Sequence, residues 1–111
     1  MNTPHEFRFP VSRVVVIDCY AGDPDALVAW VNAPPPGTSF ELIDLDRTSS
    51  GDPAGGHLVV LRDELPAWEA AARAQGVRLV PTEAPVRIGE WPGDAVVRPD
   101  PPDHLIITIP N

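Results

Sequence analysis

The chain has 111 residues, 16 Asp and Glu against 8 Lys and Arg, a formal charge of −8 and 43% hydrophobic positions. That is the length and composition of one domain able to bury its own core, and it excludes a two-domain protein. The lone cysteine, Cys19, excludes an intramolecular disulfide, and an acidic chain with no Lys and no Arg cluster is a poor nucleic-acid ligand.

Cationic ligands or basic protein surfaces suit this charge better. Met1 to Pro10 has neither a charged start nor an apolar run, and nothing approaches the roughly 18 apolar residues of a membrane span. The expected location is therefore cytoplasmic, with no membrane partner. The Arg-only basic set, with abundant Ala and Pro, points by association to a bacterial source.

In chain order, the β-branched run Arg13 to Cys19 predicts a strand buried on both faces. Asp23-Pro24-Asp25 supplies an N-cap, a first-turn proline and an acid at the positive end of a helix dipole, so a helix of about ten residues follows. Pro34-Pro35-Pro36-Gly37 stops it, and Ser39 to Leu45 alternates as a second strand. Residues 46–56 show no apolar period and are expected to be a loop. His57 to Arg62 reads as a strand and Asp63 to Gln75 as a helix, with Pro66 in its first turn and Gly76 closing it. Strands follow at Val77–Val80, Ala95–Arg98 and His104–Ile109. Residues 57–109 thus run β-α-β-β-β after a shorter β-α-β over 12–45, an α+β arrangement in a single domain.

That second unit resembles the vicinal oxygen chelate superfamily, the glyoxalase, bleomycin-resistance and extradiol-dioxygenase group built from paired βαβββ modules. The likeness lies in His57-Leu58-Val59-Val60, in the acid-capped helix with its Ala74-Gln75-Gly76-Val77 exit, and in Ala95 to Ile107 with the Asp100-Pro101-Pro102-Asp103 turn. It implies a glyoxalase/bleomycin-resistance-like fold whose first module, 12–45, is reduced. A second chain, or His5-Glu6-Phe7-Arg8-Phe9 folding back as an edge strand, would complete the missing wall. The closing turn lacks the glycine that the family's turn uses.

The resemblance also implies a divalent cation held by His, Gln or Glu from several strands. His57 stands at the second-module histidine position, and Glu41 or Asp44 is the available carboxylate. Val14 to Ile17 offers no ligand, and Ile107 occupies the last ligand position. The metal set reduces to His57 with Glu41 or Asp44, and two ligands do not hold Zn, Mn, Ni or Fe tightly unaided.

Read from the residues alone, His57 is either a locally bonded strand-starting histidine or a ligand or general base. His104 is expected to be solvated. Cys19 lacks a neighbouring base and reads as a structural thiol. Gly51 to Gly56 runs into a strand without a Lys, which excludes a phosphate loop. Trp30 and Trp68 sit on helices and read as core, whereas Trp91 lies in the polar stretch Gly89 to Gly93 and is the candidate aromatic wall. Asp18, Asp23, Asp25, Glu41, Asp44, Asp46 and Asp52 against Arg47 form an acidic stretch that lines a cleft or covers a solvated face.

The leading expectation is metal-independent binding of a small organic ligand in a cup contacted by Trp91, His57, Glu41 and Asp44; the resemblance to bleomycin-resistance-type members implies, in its sharpest form, a cationic antibiotic or natural product. The alternatives are a metal-dependent lyase, isomerase or dioxygenase, and an acidic partner-binding or regulatory protein with no small ligand. No catalytic residue is assigned. A homodimer is expected, because an incomplete cup exposes a strand edge.

Overall fold

The computed structural model describes residues 4–47 and 53–110. Ten regular elements follow in order: β1 (His5–Pro10), β2 (Val14–Tyr20), α1 (Pro24–Val31), β3 (Glu41–Arg47), β4 (Pro53–Leu61), α2 (Leu65–Gln75), β5 (Arg78–Thr82), β6 (Gly89–Trp91), β7 (Ala95–Asp100) and β8 (His104–Ile109). Short 3₁₀ turns precede β2, α2 and β7.

The strands form two four-stranded antiparallel sheets, ordered β1-β8-β7-β6 and β3-β4-β2-β5. An α+β fold is therefore established. The second sheet and its two helices are a β-α-β-β-α-β unit with the second and fifth elements as helices, the split β-α-β pattern of ferredoxin-like sheets.

Two cores result from the alternation of side chains along each strand. Val14, Val16, Leu42, Val59 and Leu61 face the other sheet and pack against Phe9, Trp91, Val97, Leu105 and Ile107. Their neighbours Val15, Ile17, Leu58 and Val60 face the helices and pack against Leu27, Trp30 and Trp68. Hence β2 and β4, buried on both faces between sheet and helices, read as continuous apolar runs. Trp30 and Trp68 meet edge-to-face at 6.0 Å between centroids and are fully buried, in accord with their core assignment.

Local signals act as expected at the helix ends. The Asp25 N–H donates to Asp23 Oδ1 at 2.9 Å, and Gly76 closes α2 in the left-handed region at φ 76°. His5 to Phe9 does fold back: β1 pairs with β8 along its whole length and forms a sheet edge.

Two expectations change. The supposed loop at 46–56 is mostly strand, because β3 runs through Arg47 and β4 begins at Pro53, with a register shift after Asp46. Periodicity misses this because Gly55 and Gly56 replace side chains in the ladder. A Cβ on Gly56 would lie 2.5 Å from the Asp44 carbonyl oxygen, and one on Gly55 2.9 Å from that of Cys19. Only bare backbone passes between β2 and β3 there. The rest of that expected loop, with Asp52, lies outside the described residues.

The strands of 57–109 are also shared out. β4 and β5 complete the sheet begun by β2 and β3, whereas β6, β7 and β8 join β1 in the other. The stretch from Glu83 to Ile88, without regular structure, carries the chain across. Strand order in sequence does not specify which sheet a strand enters, because every strand here has an apolar face to bury.

Candidate functional site

Asp18 on β2, His57 on β4 and Asp44 on β3 stand directly opposite one another across three adjacent strands. Shared register places all three on the face turned toward the first sheet. One step inward the same face carries Val16, Leu42 and Val59, so the polar row marks where the apolar space between the sheets opens to solvent.

His57 Nδ1 lies 2.8 Å from Asp18 Oδ1, and both side chains are part-exposed. A carboxylate on Nδ1 fixes the ring plane and favours the tautomer with the proton on that nitrogen, leaving Nε2 as the reactive or ligand-facing atom. Asp44 is engaged differently. Its Oδ2 accepts from Arg87 Nη1 at 2.7 Å, and Arg87 Nη2 donates to the Glu90 carbonyl at 3.2 Å.

Trp91 is held by the hairpin from β6 to β7, whose turn places Gly93 and Asp94 at φ 78° and 62°. Its Nε1–H donates to the Arg87 carbonyl at 3.0 Å, and the Arg87 guanidinium carbon sits 4.2 Å from its ring centroid. The indole is only 5% exposed and belongs to the intersheet core. The indole expected as an aromatic wall is thus mostly core, and its face is covered by the chain's own cation.

Asp18, His57, Arg87 and Trp91 border a cleft of about 360 Å³ whose walls also include Val16 and Thr82, with Asp44 behind Arg87 and outside the lining. That is a size suited to a small organic molecule. Thr82 and Arg87 carry no sequence signal of their own. Thr82 follows directly from β5 pairing with β2, where it faces Val16, and Arg87 from the crossing segment.

Glu41 lies elsewhere. It pairs with Val60, whose side chain faces the helices, so Glu41 and His57 project to opposite faces of the sheet. The metal pair His57 with Glu41 is therefore not assembled, because Glu41 stands three positions from Asp44, the residue opposite His57, and an odd offset along a strand reverses the face. The remaining carboxylate option, Asp44, shares the face of His57 but is paired with Arg87. Among the described residues no group of three or more His, Cys, Asp or Glu is arranged to hold a metal ion.

The other marked residues have local roles. Cys19 is buried, and desolvation, helped by the charges of Asp18 and Asp46, pushes its thiol up to about 11, the state of an unreactive side chain. His104 Nδ1 pairs with Asp103 at 2.7 Å beside the last turn. Asp23 and Asp25 serve the start of α1. Among the described residues no helix is long and apolar enough to cross a membrane.

Comparison of the chain with family models, curated proteins and solved structures gave no match.

Proposed function

We propose that the protein binds a small organic ligand, without a tightly held metal, in the cleft between the sheets bordered by Asp18, His57, Arg87 and Trp91. The observation that carries this is the meeting of an oriented imidazole, a fixed guanidinium and an apolar floor in one concave place. The ligand presents an acceptor, such as a carbonyl or carboxylate, to Arg87 and a hydrogen-bonding group to His57 Nε2. A cationic ligand, favoured by the acidic composition and sharpened, through the resemblance, to an antibiotic or natural product, has first to displace Arg87 from both Asp44 and the Trp91 face.

Kinship with the glyoxalase and bleomycin-resistance group belongs to this proposal too, supported by the order of elements from His57 to Ile109. The binding reading stands apart from it, since those strands are divided between two sheets and the cleft is formed by its own side chains. The proposed homodimer is supported by the edges that β1 and β6 leave on one sheet and β3 and β5 on the other.

The test is a fragment screen on isotope-labelled protein by NMR, read at the Trp91 indole N–H and the His57 ring. Small carboxylates or carbonyl compounds that shift both signals, and lose the effect in Arg87→Ala and His57→Ala, support the proposal. Its failure is a screen in which no fragment moves either signal at millimolar concentration.

A further inference from the structure

A second cavity, sharing no lining residue with the cleft at His57, is the place where Glu41 lies. It measures about 490 Å³ and is bordered by Phe7, Pro35, Phe40, Glu41, Trp68 and Ile109, where the β1 and β8 side of one sheet meets the β3 edge of the other and helix α2. Glu41 Oε2 is inaccessible to solvent and has no hydrogen-bond partner among the described residues; the same holds for Trp68 Nε1. Burial raises the Glu41 carboxyl above its ordinary value. Burial of one oxygen without a donor leaves the carboxylate's charge uncompensated, so a cation held in the cavity is attracted to the group without having to reach that atom.

The rest of the lining is built, and it is poor in donors. Thr38 Oγ1 donates to the Pro35 carbonyl at 2.7 Å, and the Ser39 amide and hydroxyl are both committed to Glu64 at 3.0 to 3.1 Å. The Glu64 bonds hold Ser39 against the start of α2, and the Thr38 bond closes the turn from Pro35. Three consecutive prolines have no N–H to offer, so this wall presents carbonyls but few donors. A wall of prolines and tied side chains loses little conformational freedom when a ligand binds.

Phe7 and Phe40 meet edge-to-face at 5.4 Å beside Ile109, an aromatic and aliphatic surface next to the carboxylate. Among the described residues Glu41 is the one charged side chain in the lining. An acceptor-rich wall with an unpaired acid and aromatic rings disfavours anions. It suits a compact apolar body carrying a positively charged donor.

The geometry points to a second binding site at Glu41, for a small apolar amine whose ammonium group meets the Glu41 carboxylate while its hydrocarbon lies against Phe7, Phe40 and Ile109. This site is independent of the cleft at His57, and the chemistry of its walls is the opposite of that cleft's fixed guanidinium.

The experiment titrates the full-length labelled protein with 2-phenylethylamine and with its neutral isostere 2-phenylethanol. Signals followed are the Trp68 indole N–H and the Thr38 and Ser39 amides, with the Trp91 indole as reference for the other cleft. Saturable shifts at Trp68, Thr38 and Ser39, with the amine binding about tenfold or more tightly than the alcohol, are expected. Glu41→Gln is expected to erase that preference, bringing the affinities of amine and alcohol together. Lowering the pH until Glu41 is protonated has the same effect on the unmodified chain, so the conclusion does not depend on one variant folding. Equal binding of amine and alcohol, an undiminished preference in Glu41→Gln, shifts confined to Trp91, or no saturable shift at all would each overturn the proposal. Because the two indoles report separately, loss of this site is distinguishable from failure of the cleft at His57.

Discussion

The guanidinium of Arg87 lies 4.2 Å from the centre of the Trp91 ring and simultaneously bonds Asp44 at 2.7 Å, so a residue of the crossing segment occupies the aromatic face and the acid together. Arg87 thereby closes one side of the cleft and ties β3 to the segment before β6. The side chain remains about half exposed, which limits what the ion pair contributes.

Removing it has a modest, measurable effect. Arg87→Ala is expected to cost roughly 0.5–1.5 kcal/mol from the lost ring contact and part-screened ion pair. It also gives a red-shifted tryptophan emission as the ring is uncovered. Urea unfolding followed by fluorescence checks both; an unchanged emission means that the stacked arrangement is not held in solution.

Metal retention distinguishes the binding reading from the metal-dependent one. Purified protein incubated with Zn²⁺, Mn²⁺, Ni²⁺ or Fe²⁺ and then desalted is expected to keep far less than one ion per chain by elemental analysis, with His57→Ala no different. One ion per chain or per dimer, lost in the variant, overturns the metal-independent proposal.

The glycine that precedes His57 is a packing requirement. Gly56→Ala sets a methyl group 2.5 Å from the Asp44 carbonyl oxygen and 3.0 Å from Leu45 Cα, backbone atoms that cannot rotate away. A loss of roughly 1–3 kcal/mol is expected. Gly22→Ala, with nothing within 4 Å of the added atom, is expected to be neutral or slightly stabilising. Parallel thermal and urea melts compare the pair.

Cys19 makes stability depend on alkaline pH. Its thiol rises from 9.0 when unperturbed to about 11 in the fold, so the folded chain keeps a proton that the unfolded chain releases. The contribution is complete below about pH 9 and falls as pH climbs toward 11, a decline on the order of 2 kcal/mol. Cys19→Ser or Cys19→Ala removes that slope. Native protein at pH 8 is also expected to resist thiol reagents that react at once after unfolding.

For Glu41 the sign is the same and the range is acidic. Its raised carboxyl means that the folded state holds the proton to higher pH than the unfolded chain, so stability is lost as pH rises through the raised value. Glu41→Gln is therefore expected to be at least as stable as the unmodified chain at pH 7, with the advantage shrinking toward pH 4. Urea midpoints at both pH values measure this, and a destabilised Gln variant at pH 7 shows that the charge is paired in solution.

Much of the local structure is legible in the order of residues. The apolar runs of β2 and β4, the Asp23-Pro24-Asp25 start of α1, the Gly76 exit from α2 and the core tryptophans Trp30 and Trp68 all follow from short-range rules of burial, capping and backbone freedom. His57, Asp44 and Trp91 are also marked by the sequence, and they border one region of the fold. What the sequence leaves undecided is sheet membership, because any strand with one apolar face is satisfied by either sheet. Only the pairing of β5 with β2, and of β1 with β8, settles it. That pairing brings Thr82 and Arg87 to His57, and strand register turns Glu41 away to a cavity of its own. Side chains three residues apart on a strand look adjacent in the sequence, yet alternation places them on opposite faces, and the tertiary structure assigns each face its neighbours.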